Sequence, residues 1–405
     1  MQKSARIVFA LSLLAAAISF TKFNSCQSFD WATPNQYVHA CYSDIPALFS
    51  ERGLNQGVWA YSNADKAVEY PVITGVVMWV LAKVIPVGDN ATDNYFYLNV
   101  ALLAVLFLLI SAITFKIRPK FAYLLPVAPA AIASLYINWD LWAIISMMGA
   151  IYWFDHKKLD LSALAIGISI STKFIPIFLL LPIALIFLRR KNFLAATRYF
   201  LITLSTFVAV NLPVFLTTPE GWLRFYKLNI ERNADWGSLW FAADSLGIYL
   251  PNINYLSILL LLATFAGIAI YILEVPTTPS LASLSFIVLA IIMSASKVYS
   301  PQYVLWLTPL AVIALIDKRD LHAFWIWQGV ELVYHLAIWQ HLATVTGAKF
   351  GLPLLGYSLI ILVRIAATGY LVGILVRRGL VGRVKSSNTP NSLREFLFES
   401  GKSYP

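Results

Sequence analysis

The sequence "LSALAIGISISTKFIPIFLLLPIALIFL" (residues 161–188) is an apolar run that is interrupted near its centre by a lysine and a proline. A helix that crosses a membrane needs about 20 apolar residues, so this run is too long for a single span. Proline fits the first turn of a helix and disrupts a helix interior. The run therefore predicts two short helices that are joined by a turn from Lys173 to Pro176.

The composition of the whole chain agrees with a membrane location. Its 405 residues are 59% hydrophobic and only 12% charged, and the mean hydropathy is +0.72. Soluble domains carry about 25% charged residues, so these values predict an all-α polytopic membrane protein. The net charge of +10 is concentrated in short loops between apolar runs. That pattern is typical of cytoplasmic loops, and no nucleic-acid partner is expected.

Apolar runs divide the chain into about twelve predicted transmembrane helices, which form one domain at residues 1–385. The first run, residues 1–22, has the basic start of a signal peptide, but no small-residue cleavage site stands out, so we interpret it as a retained helix. The 161–188 run counts as two helices. The other runs lie at 97–115, 121–137, 140–155, 196–216, 253–273, 280–296, 302–316, 321–342 and 353–376.

Clusters of Lys and Arg orient these helices, because such clusters concentrate on the cytoplasmic side. The clusters share that side with both termini only if residues 70–88 do not cross the membrane. We therefore expect a helix on the outer leaflet there, within a first extracytoplasmic loop at 23–96 that carries juxtamembrane helices. A second outer loop spans 217–252, and residues 386–405 form a cytoplasmic tail. The clusters begin at Lys116, His156, Arg189, Asp317 and Arg377.

Most acidic residues fall on the outer side in this topology, so a site is expected there. Asp44 lies in the first outer loop, in "CYSDIPALFSERGL" (41–54). It can cap the helix that follows, or it can act as a general base that takes a proton from a hydroxyl. Glu69, in "EYPVITG" (69–75), can bind an acceptor or cap the next helix.

Two charged residues stand at the predicted outer ends of membrane helices. Asp140 opens a span between two tryptophans in "NWDLWA" (138–143). It can cap that helix, or it can face a cavity and bind sugar hydroxyls or assist Asp44. Lys173 can snorkel to the surface, or it can neutralise a lipid phosphate, since interrupted helices and intramembrane charges often mark binding sites.

The segment "RFYKLNIERNADWGSLW" (224–240) places cations in an aromatic-rich outer loop. On a helix, Lys227 would meet Glu231 and Arg232 would meet Asp235, which is typical of a solvated charged helix. The alternative is a clamp in which Arg or Lys binds a phosphate.

The turn "SASKVYSPQYVLW" (294–306) presents an ammonium, hydroxyls and an amide at the outer surface, from Lys297, Tyr299, Gln302 and Tyr303. Such groups suit a sugar phosphate, although a plain interfacial turn explains them equally well.

In "ELVYHLAIWQH" (331–341), Glu331 lies at a depth similar to that of Arg364 if the last two spans are antiparallel. We predict a structural ion pair between them. His335 and His341 lie toward the outer end. Each can be a buried histidine with satisfied hydrogen bonds, or one can support Asp44 in moving a proton.

The two cysteines, Cys26 and Cys41, both fall in the first outer loop. On an oxidising side of the membrane they can form a disulfide that constrains the loop before Asp44. The sequence has no Cys/His spacing that is typical of a metal site, no phosphate-binding glycine loop and no GxSxG motif. No cofactor and no metal are predicted.

Several stretches taken together resemble a known family. They are "YSDIPALF" (42–49), "EYPVITG", "NWDLWA", "AIGISISTKFIPIFLLLP" (165–182), "RNADWGSLW" (232–240) and "SKVYSPQYVLWLTPL" (296–310). In this order, over roughly residues 38–315, they resemble the GT-C membrane glycosyltransferases. Within that class they resemble glycosyltransferase family 87, the polyprenol-phosphate-mannose-dependent mannosyltransferases of actinobacteria and related bacteria.

The resemblance implies a GT-C type bundle in a bacterial plasma membrane, with an extracytoplasmic and metal-independent active site. Its partners would be membrane lipids, a polyprenyl-phosphate sugar donor, and a glycolipid or glycan acceptor. An acid in the first outer loop acts as the base in such enzymes, which corresponds to Asp44.

Polyprenyl phosphate is a good leaving group, so one base and several cations suffice for an inverting transfer. On this basis the predicted phosphate partners are Lys173, Arg232 and Lys297. The predicted sugar or acceptor contacts are Glu69, Asp140, Asp235, Tyr299 and Gln302.

Other functions remain open at the level of sequence. A transporter fits a bundle of this size with a broken helix, although no internal repeat is evident and mid-membrane charges are few. A glycan ligase or polymerase would use a lipid-diphosphate donor on the same face. A transferase that uses an arabinosyl phospholipid would differ only in its hydroxyl contacts.

Overall fold

The computed structural model describes residues 2–62, 65–315 and 318–381. Within these ranges the chain is helical and forms no strand. The cytoplasmic tail predicted at 386–405 lies outside the described residues. In chain order the α-helices are α1 (Gln2–Asn24), α2 (Asn35–Val38), α3 (Asp44–Glu51), α4 (Val72–Lys83), α5 (Ala91–Ile117), α6 (Leu124–Val127), α7 (Pro129–Ser134), α8 (Asp140–Asp155), α9 (Leu159–Thr172), α10 (Leu180–Arg189), α11 (Phe193–Thr217), α12 (Pro219–Glu231), α13 (Leu239–Ser245), α14 (Ile253–Glu274), α15 (Leu281–Ala295), α16 (Val304–Ala314), α17 (Asp320–Val345) and α18 (Leu354–Val381).

Of the described helices, five are long and apolar enough to cross a membrane, namely α1, α5, α11, α14 and α18. Helices α9 and α15 and two segments that begin in 3₁₀ turns, Ile175–Arg189 and Pro301–Ala314, are shorter and also apolar. The chain is therefore an all-α, multi-pass membrane protein, as its composition predicts.

The break within residues 161–188 is where the sequence predicts it. Helix α9 ends at Thr172, Lys173 is extended with φ −149° and ψ 136°, and a 3₁₀ turn begins at Ile175. Pro176 occupies the first turn of that new helix, where a backbone N–H would have no partner within the helix and its absence costs nothing.

The predicted span at 121–137 differs from the structure. It consists of two short helices, α6 and α7, with Ala128 extended between them. Pro129 begins α7, and a residue before proline avoids the helical conformation. The prediction of one continuous span, which rests on hydropathy, is therefore wrong. Pro126 and Pro129 interrupt the apolar run.

Helix α4 covers most of the predicted surface segment 70–88. Its 12 residues extend about 18 Å at 1.5 Å each, which is too short for a hydrocarbon core of about 30 Å. The length of α4 agrees with a helix that does not cross the membrane.

Helices α8, α9 and α11 pack side by side, and their contact depends on a small residue. A Cβ at Gly167 would lie 2.8 Å from the carbonyl oxygen of Thr203. On the same two helices, α9 and α11, the hydroxyls of Ser162 and Tyr199 are 2.9 Å apart. Close backbone approach and a polar contact together fix α9 against α11.

The basic clusters meet at one end of the bundle. Lys116 lies over the ring of Tyr152, which connects the ends of α5 and α8. The other contacts at this end are Arg118 to the Leu315 carbonyl at 2.6 Å, Arg198 to Asp160 at 2.5 Å, Arg189 to the Ile272 carbonyl at 2.7 Å, and Arg378 to Asp320 at 2.5 Å. These contacts support the prediction that the basic loops share one side of the membrane.

The predicted ion pair between Glu331 and Arg364 is confirmed. Arg364 Nε lies 2.9 Å from Glu331 Oε2 and 3.0 Å from Oε1, and both side chains are at most 1% exposed. The same guanidinium donates to the carbonyls of Tyr299 and Ser300 at 2.5 and 3.1 Å. The pair therefore holds the turn that follows α15 against α17 and α18.

Candidate active site

A polar cavity of about 470 Å³ opens at the end of the bundle away from the basic clusters. Asp140 begins α8, Lys173 follows α9, and both helices have their other ends among the basic loops. The first loop, α12, the turn after α15 and α17 supply most of the remaining wall. Polar and aromatic residues of this wall include Tyr37, Tyr42, Asp44, Glu69, Tyr70, Lys173, Asn229, Arg232, Asp235, Trp236, Gln302, Tyr303 and Trp339.

Asp44 is the first residue of α3, and its side chain faces this cavity. The cap of α3 is Ser43, whose hydroxyl accepts from the Ile45 N–H at 3.2 Å. The interpretation of Asp44 as a helix cap is therefore wrong. The Asp44 carboxylate instead accepts a hydrogen bond from the Tyr70 hydroxyl at 3.0 Å.

The environment of Asp44 suits a base. Burial raises the pKa of the Asp44 carboxyl above its usual range, while the hydroxyls of Tyr42 and Tyr70 and the charge of Lys173 act in the opposite direction. Burial and the charge of Asp44 raise the pKa of Tyr70, so its phenol stays protonated and donates. Burial makes a carboxylate more basic than one in water, and hydrogen bonds to its charged form help to keep it ionised.

Lys173 is held by an ion pair below the cavity surface. Its ammonium lies 2.9 Å from Asp140 Oδ1 and 4.4 Å from the centre of the Tyr70 ring. Asp140 Oδ2 accepts from the Trp306 indole at 2.8 Å. Tyr70 thus contacts both the candidate base and the candidate phosphate-binding lysine.

The structure corrects two of the three predicted roles of Asp140. Its side chain is fully buried and its oxygens face Lys173 and Trp306, so it is not placed to bind a sugar hydroxyl. It is also not the cap of α8, because its own N–H is accepted by Asn138 Oδ1 at 3.0 Å. Asp140 therefore positions Lys173.

Glu69 lines the cavity between two arginines. Glu69 Oε1 contacts the guanidinium of Arg52 and lies 3.2 Å from that of Arg224. Helix α12 also touches the first loop at Gly221, which lies so close to the backbone carbonyl of Tyr61 that an added Cβ would overlap it. These contacts hold α12 against the first loop.

Arg232 and Lys297 lie near each other but differ in their surroundings. The Arg232 guanidinium is 3.5 Å from Asp235 Oδ2 and 38% exposed, which is the predicted Arg232–Asp235 pair. The Lys297 ammonium donates to the Arg232 carbonyl at 2.6 Å and to Asn254 Oδ1 at 2.5 Å. Lys297 thus caps the carboxyl end of α12, and it lines the neighbouring apolar cavity rather than the polar one.

The turn after α15 presents some of the residues predicted there and buries Tyr299. The Tyr299 side chain is fully buried, and its hydroxyl donates to Glu331 Oε1 at 3.2 Å. Its predicted contact with a sugar is therefore wrong. Gln302 does line the polar cavity, and Tyr303 lines both cavities.

Neither predicted histidine reaches Asp44. His335 is buried, with Nε2 2.9 Å from the Lys22 ammonium and Nδ1 3.1 Å from the Ser134 hydroxyl. His341 Nδ1 lies 3.0 Å from the Leu352 carbonyl, and its ring stacks on Tyr357. Neither ring lines the polar cavity, so a role beside Asp44 in proton transfer is not supported.

Cys26 and Cys41 form a disulfide, with their Cα atoms 5.7 Å apart. The bond closes the segment that leads from α1 to Ser43 and Asp44. Among the residues the structure describes, no three His, Cys, Asp or Glu side chains come together as metal ligands. Metal independence stays a prediction.

An apolar cavity of about 480 Å³ adjoins the polar one. Lys173, Phe225, Asn229, Arg232, Val298 and Tyr303 line both. The rest of the apolar cavity is lined mainly by hydrocarbon and aromatic side chains, which include Phe174, Ile175, Phe178, Ile258, Leu261 and Ile292. Two cations therefore stand where a polar chamber meets an apolar one.

Sequence reasoning missed the contacts of Tyr70, Tyr42 and Arg52. Tyr70 lies inside "EYPVITG" (69–75), beside Glu69, for which a role is predicted, but no role is predicted for the tyrosine itself. Its partner Asp44 is 26 positions away, and helical spacing gives no indication of such a contact.

No protein-family profile and no curated protein sequence matches the chain. Among solved structures, the chain is similar to that of ArnT from Cupriavidus metallidurans bound to undecaprenyl phosphate. The two share 14% sequence identity with a TM-score of 0.47, over 93% of this chain and 78% of ArnT.

Proposed function

We propose that this protein transfers a hexose, mannose, from a polyprenyl-phosphate donor to a glycolipid or cell-envelope glycan on the extracytoplasmic face of a bacterial plasma membrane. The observation that carries the proposal is the position of Lys173 and Arg232. Both line the wall that the Asp44 cavity shares with the apolar cavity. A lipid phosphate ester has the matching arrangement, with an anion between a sugar and a hydrocarbon chain.

The donor would bind across this wall. Its first isoprene units would occupy the apolar cavity among Phe174, Phe178 and Leu261, where burial of hydrocarbon is favourable. Its phosphate would lie between Lys173 and Arg232, whose charges would stabilise the negative charge that builds up as the phosphate leaves. Its sugar would then point into the polar cavity toward Asp44.

The reaction would be an inverting displacement. The acceptor hydroxyl gives its proton to Asp44 as its oxygen forms a bond to the anomeric carbon. The bond between that carbon and the phosphate oxygen breaks, and polyprenyl phosphate leaves with the bonding electrons. The base needs only to be ionised and within reach of the hydroxyl, while the two cations take the place of a strong general acid.

Tyr70 would act as a positioning residue for both halves of this machinery. Its hydroxyl fixes one oxygen of Asp44, and its ring face supports the ammonium of Lys173. The distance between base and phosphate site would then depend on one aromatic side chain. The preference for mannose and the assignment to family 87 rest on the sequence motifs alone.

The test uses purified protein in liposomes with a radiolabelled polyprenyl-phosphate sugar and an octyl glycoside acceptor. Wild type should transfer from polyprenyl-phosphate mannose, with glucosyl and arabinosyl carriers as competing donors. Asp44→Asn should abolish transfer without changing the thermal unfolding midpoint. The matched control is Asp160→Asn at the basic end, which should transfer normally.

Three results would contradict the proposal. One is unchanged turnover in Asp44→Asn, another is absence of transfer from any of the three carriers, and the third is uptake of free sugar by the liposomes, which would favour the transporter alternative.

A further inference from the structure

Helix α12 separates three cavities, of which the proposed function uses two. Phe225, Asn229 and Arg232 face the polar and apolar cavities, and Tyr226 and Ile230 face the apolar one alone. The remaining polar face of α12 lines a third cavity of about 580 Å³ that is open to water. Ligand sites commonly occupy about 300–1,000 Å³, so this groove is large enough to be one.

The third cavity is built by a regular charged stripe. Glu220, Arg224, Lys227 and Glu231 recur at intervals of four, three and four residues, so they share one face of α12. Asp65, Leu228, Arg232 and Asn233 complete the groove. We define these eight residues as the outer groove.

The charges of the outer groove balance. Asp65, Glu220 and Glu231 are negative, while Arg224, Lys227 and Arg232 are positive. A site for a phosphate or a polyanion would concentrate one sign of charge. Carboxylates and cationic donors side by side instead offer both acceptors and donors of charge-assisted hydrogen bonds, which neutral polyols with many hydroxyls can use.

Most of these charges have no partner in the part of the chain that the structure describes. Lys227 and Glu231 are spaced to pair with each other, as the sequence predicts, but they do not. Across residues 2–62, 65–315 and 318–381, the side chains of Asp65, Glu220, Lys227 and Glu231 make neither an ion pair nor a hydrogen bond. Their hydrogen-bonding capacity is therefore available to a ligand.

The outer groove also lies beside the proposed reaction site. Leu228 and Arg232 line both the outer groove and the Asp44 cavity. The two proposed substrates would thus approach from opposite sides of α12, the donor from the apolar side and the acceptor from the water side.

We propose that the outer groove binds a neutral oligosaccharide, namely the sugar residues of the acceptor that precede the unit receiving the hexose. The inference rests on the proposed function and specifies its acceptor as a glycan with more than one sugar, recognised by its hydroxyls and not by a lipid tail.

Binding is tested separately from transfer. Saturation-transfer NMR measures the association of mannotriose and maltotriose with the purified full-length protein in detergent, without donor. Wild type and Asp44→Asn should bind at least one trisaccharide, and Lys227→Gln with Glu231→Gln should bind it about tenfold more weakly, as expected for lost charge-assisted hydrogen bonds. Arg198→Gln with Asp160→Asn, which likewise removes one positive and one negative charge but at the basic end, should bind like wild type.

Transfer gives the second measurement. With octyl trimannoside as acceptor, the Lys227→Gln, Glu231→Gln double variant should raise the acceptor KM about tenfold and leave the donor KM unchanged. With octyl mannoside, which has no further sugars to occupy the outer groove, the double variant should behave like wild type.

Failure of this inference can be told apart from failure of the proposed function. If wild type transfers mannose but binds neither trisaccharide, or if the double variant binds both as wild type does, the inference is wrong and the proposed function stands. If a trisaccharide binds as described but no carrier donates a sugar, the proposed function is wrong while the groove remains a glycan site.

Discussion

The ammonium of Lys173 lies 2.9 Å from Oδ1 of Asp140, and that carboxylate is completely buried. Lys173 itself keeps 16% of its side chain exposed, toward the cavity. Asp140 therefore supports Lys173 from within the protein, and Lys173 is the member of the pair that is accessible from the cavity. The loop conformation of Lys173 between two short helices makes this arrangement possible, because an unbroken helix would continue past the cavity.

Removing the Lys173 ammonium should lower both the stability of the protein and its transfer activity. In Lys173→Met the Asp140 carboxylate is left buried without its partner, which costs about 3–5 kcal/mol of unfolding free energy. We expect a lower unfolding midpoint and loss of transfer. Adding Asp140→Asn should restore most of the midpoint but none of the transfer. Thermal unfolding in detergent and the liposome assay measure the two effects, and recovery of transfer in the double variant would contradict a direct role for Lys173.

Tyr70→Phe should change the pH dependence of transfer. Asp44 acts as a base only when ionised, so activity should rise with pH through its pKa, which burial raises. Loss of the Tyr70 hydrogen bond removes a stabilisation of the charged form and raises that pKa further. The acid limb of kcat/KM should therefore move to higher pH.

The groups whose hydrogen bonds or charges act on the pKa of Asp44 are Tyr42, Tyr70, Lys173 and Asp140, and only Tyr70 is changed. Tyr97→Phe is the control, because its hydroxyl donates to Gln27 at 2.7 Å and does not face Asp44. A profile that stayed in place in Tyr70→Phe would exclude the positioning role.

Two ion pairs with the same chemistry should differ in their effect on stability. Glu331–Arg364 is at most 1% exposed, while Asp160–Arg198 is 52% and 68% exposed. Glu331→Gln should lower unfolding free energy by about 3–5 kcal/mol, whereas Asp160→Asn should change it by about 1 kcal/mol or less. Chemical denaturation of the two variants provides the comparison. Similar losses of unfolding free energy would contradict the difference in burial between the two ion pairs.

The disulfide should stabilise the first loop. Replacing Cys26 and Cys41 by serine releases a segment with a sequence separation of 15, which corresponds to about 3 kcal/mol in a chain-entropy description. The unfolding midpoint should fall, and reductant should lower the wild-type midpoint without affecting the variant. A variant with an unchanged midpoint would show that packing alone orders the segment.

Helix positions could be predicted from sequence because hydropathy and proline act locally. The span at 140–155 coincides with α8, and the break at Lys173 follows from Pro176 and the length of the run. The pairing of Glu331 with Arg364 was also predictable, since a buried charge in a membrane helix needs a partner and few candidates lie at the same depth.

Side-chain direction could not be predicted in the same way. Tyr299 lies in a polar turn and His335 in an apolar helix, and in neither case does the sequence indicate which side chains are turned toward the cavity. Tyr299 points to Glu331 and His335 to Lys22. The contact of Tyr70 with Asp44 joins distant parts of the first loop, and only tertiary structure brings those two residues together.

Gly221 has a mechanical consequence for the whole site. At this residue the backbone of α12 rests directly on the Tyr61 carbonyl, with no layer of side chains that could repack to absorb a displacement. The distance between α12 and the first loop is thus set by backbone van der Waals contact and not by side-chain packing. Widening this contact would move a wall of all three cavities that α12 lines, so the proposed binding of donor and acceptor and the proposed transfer would change together.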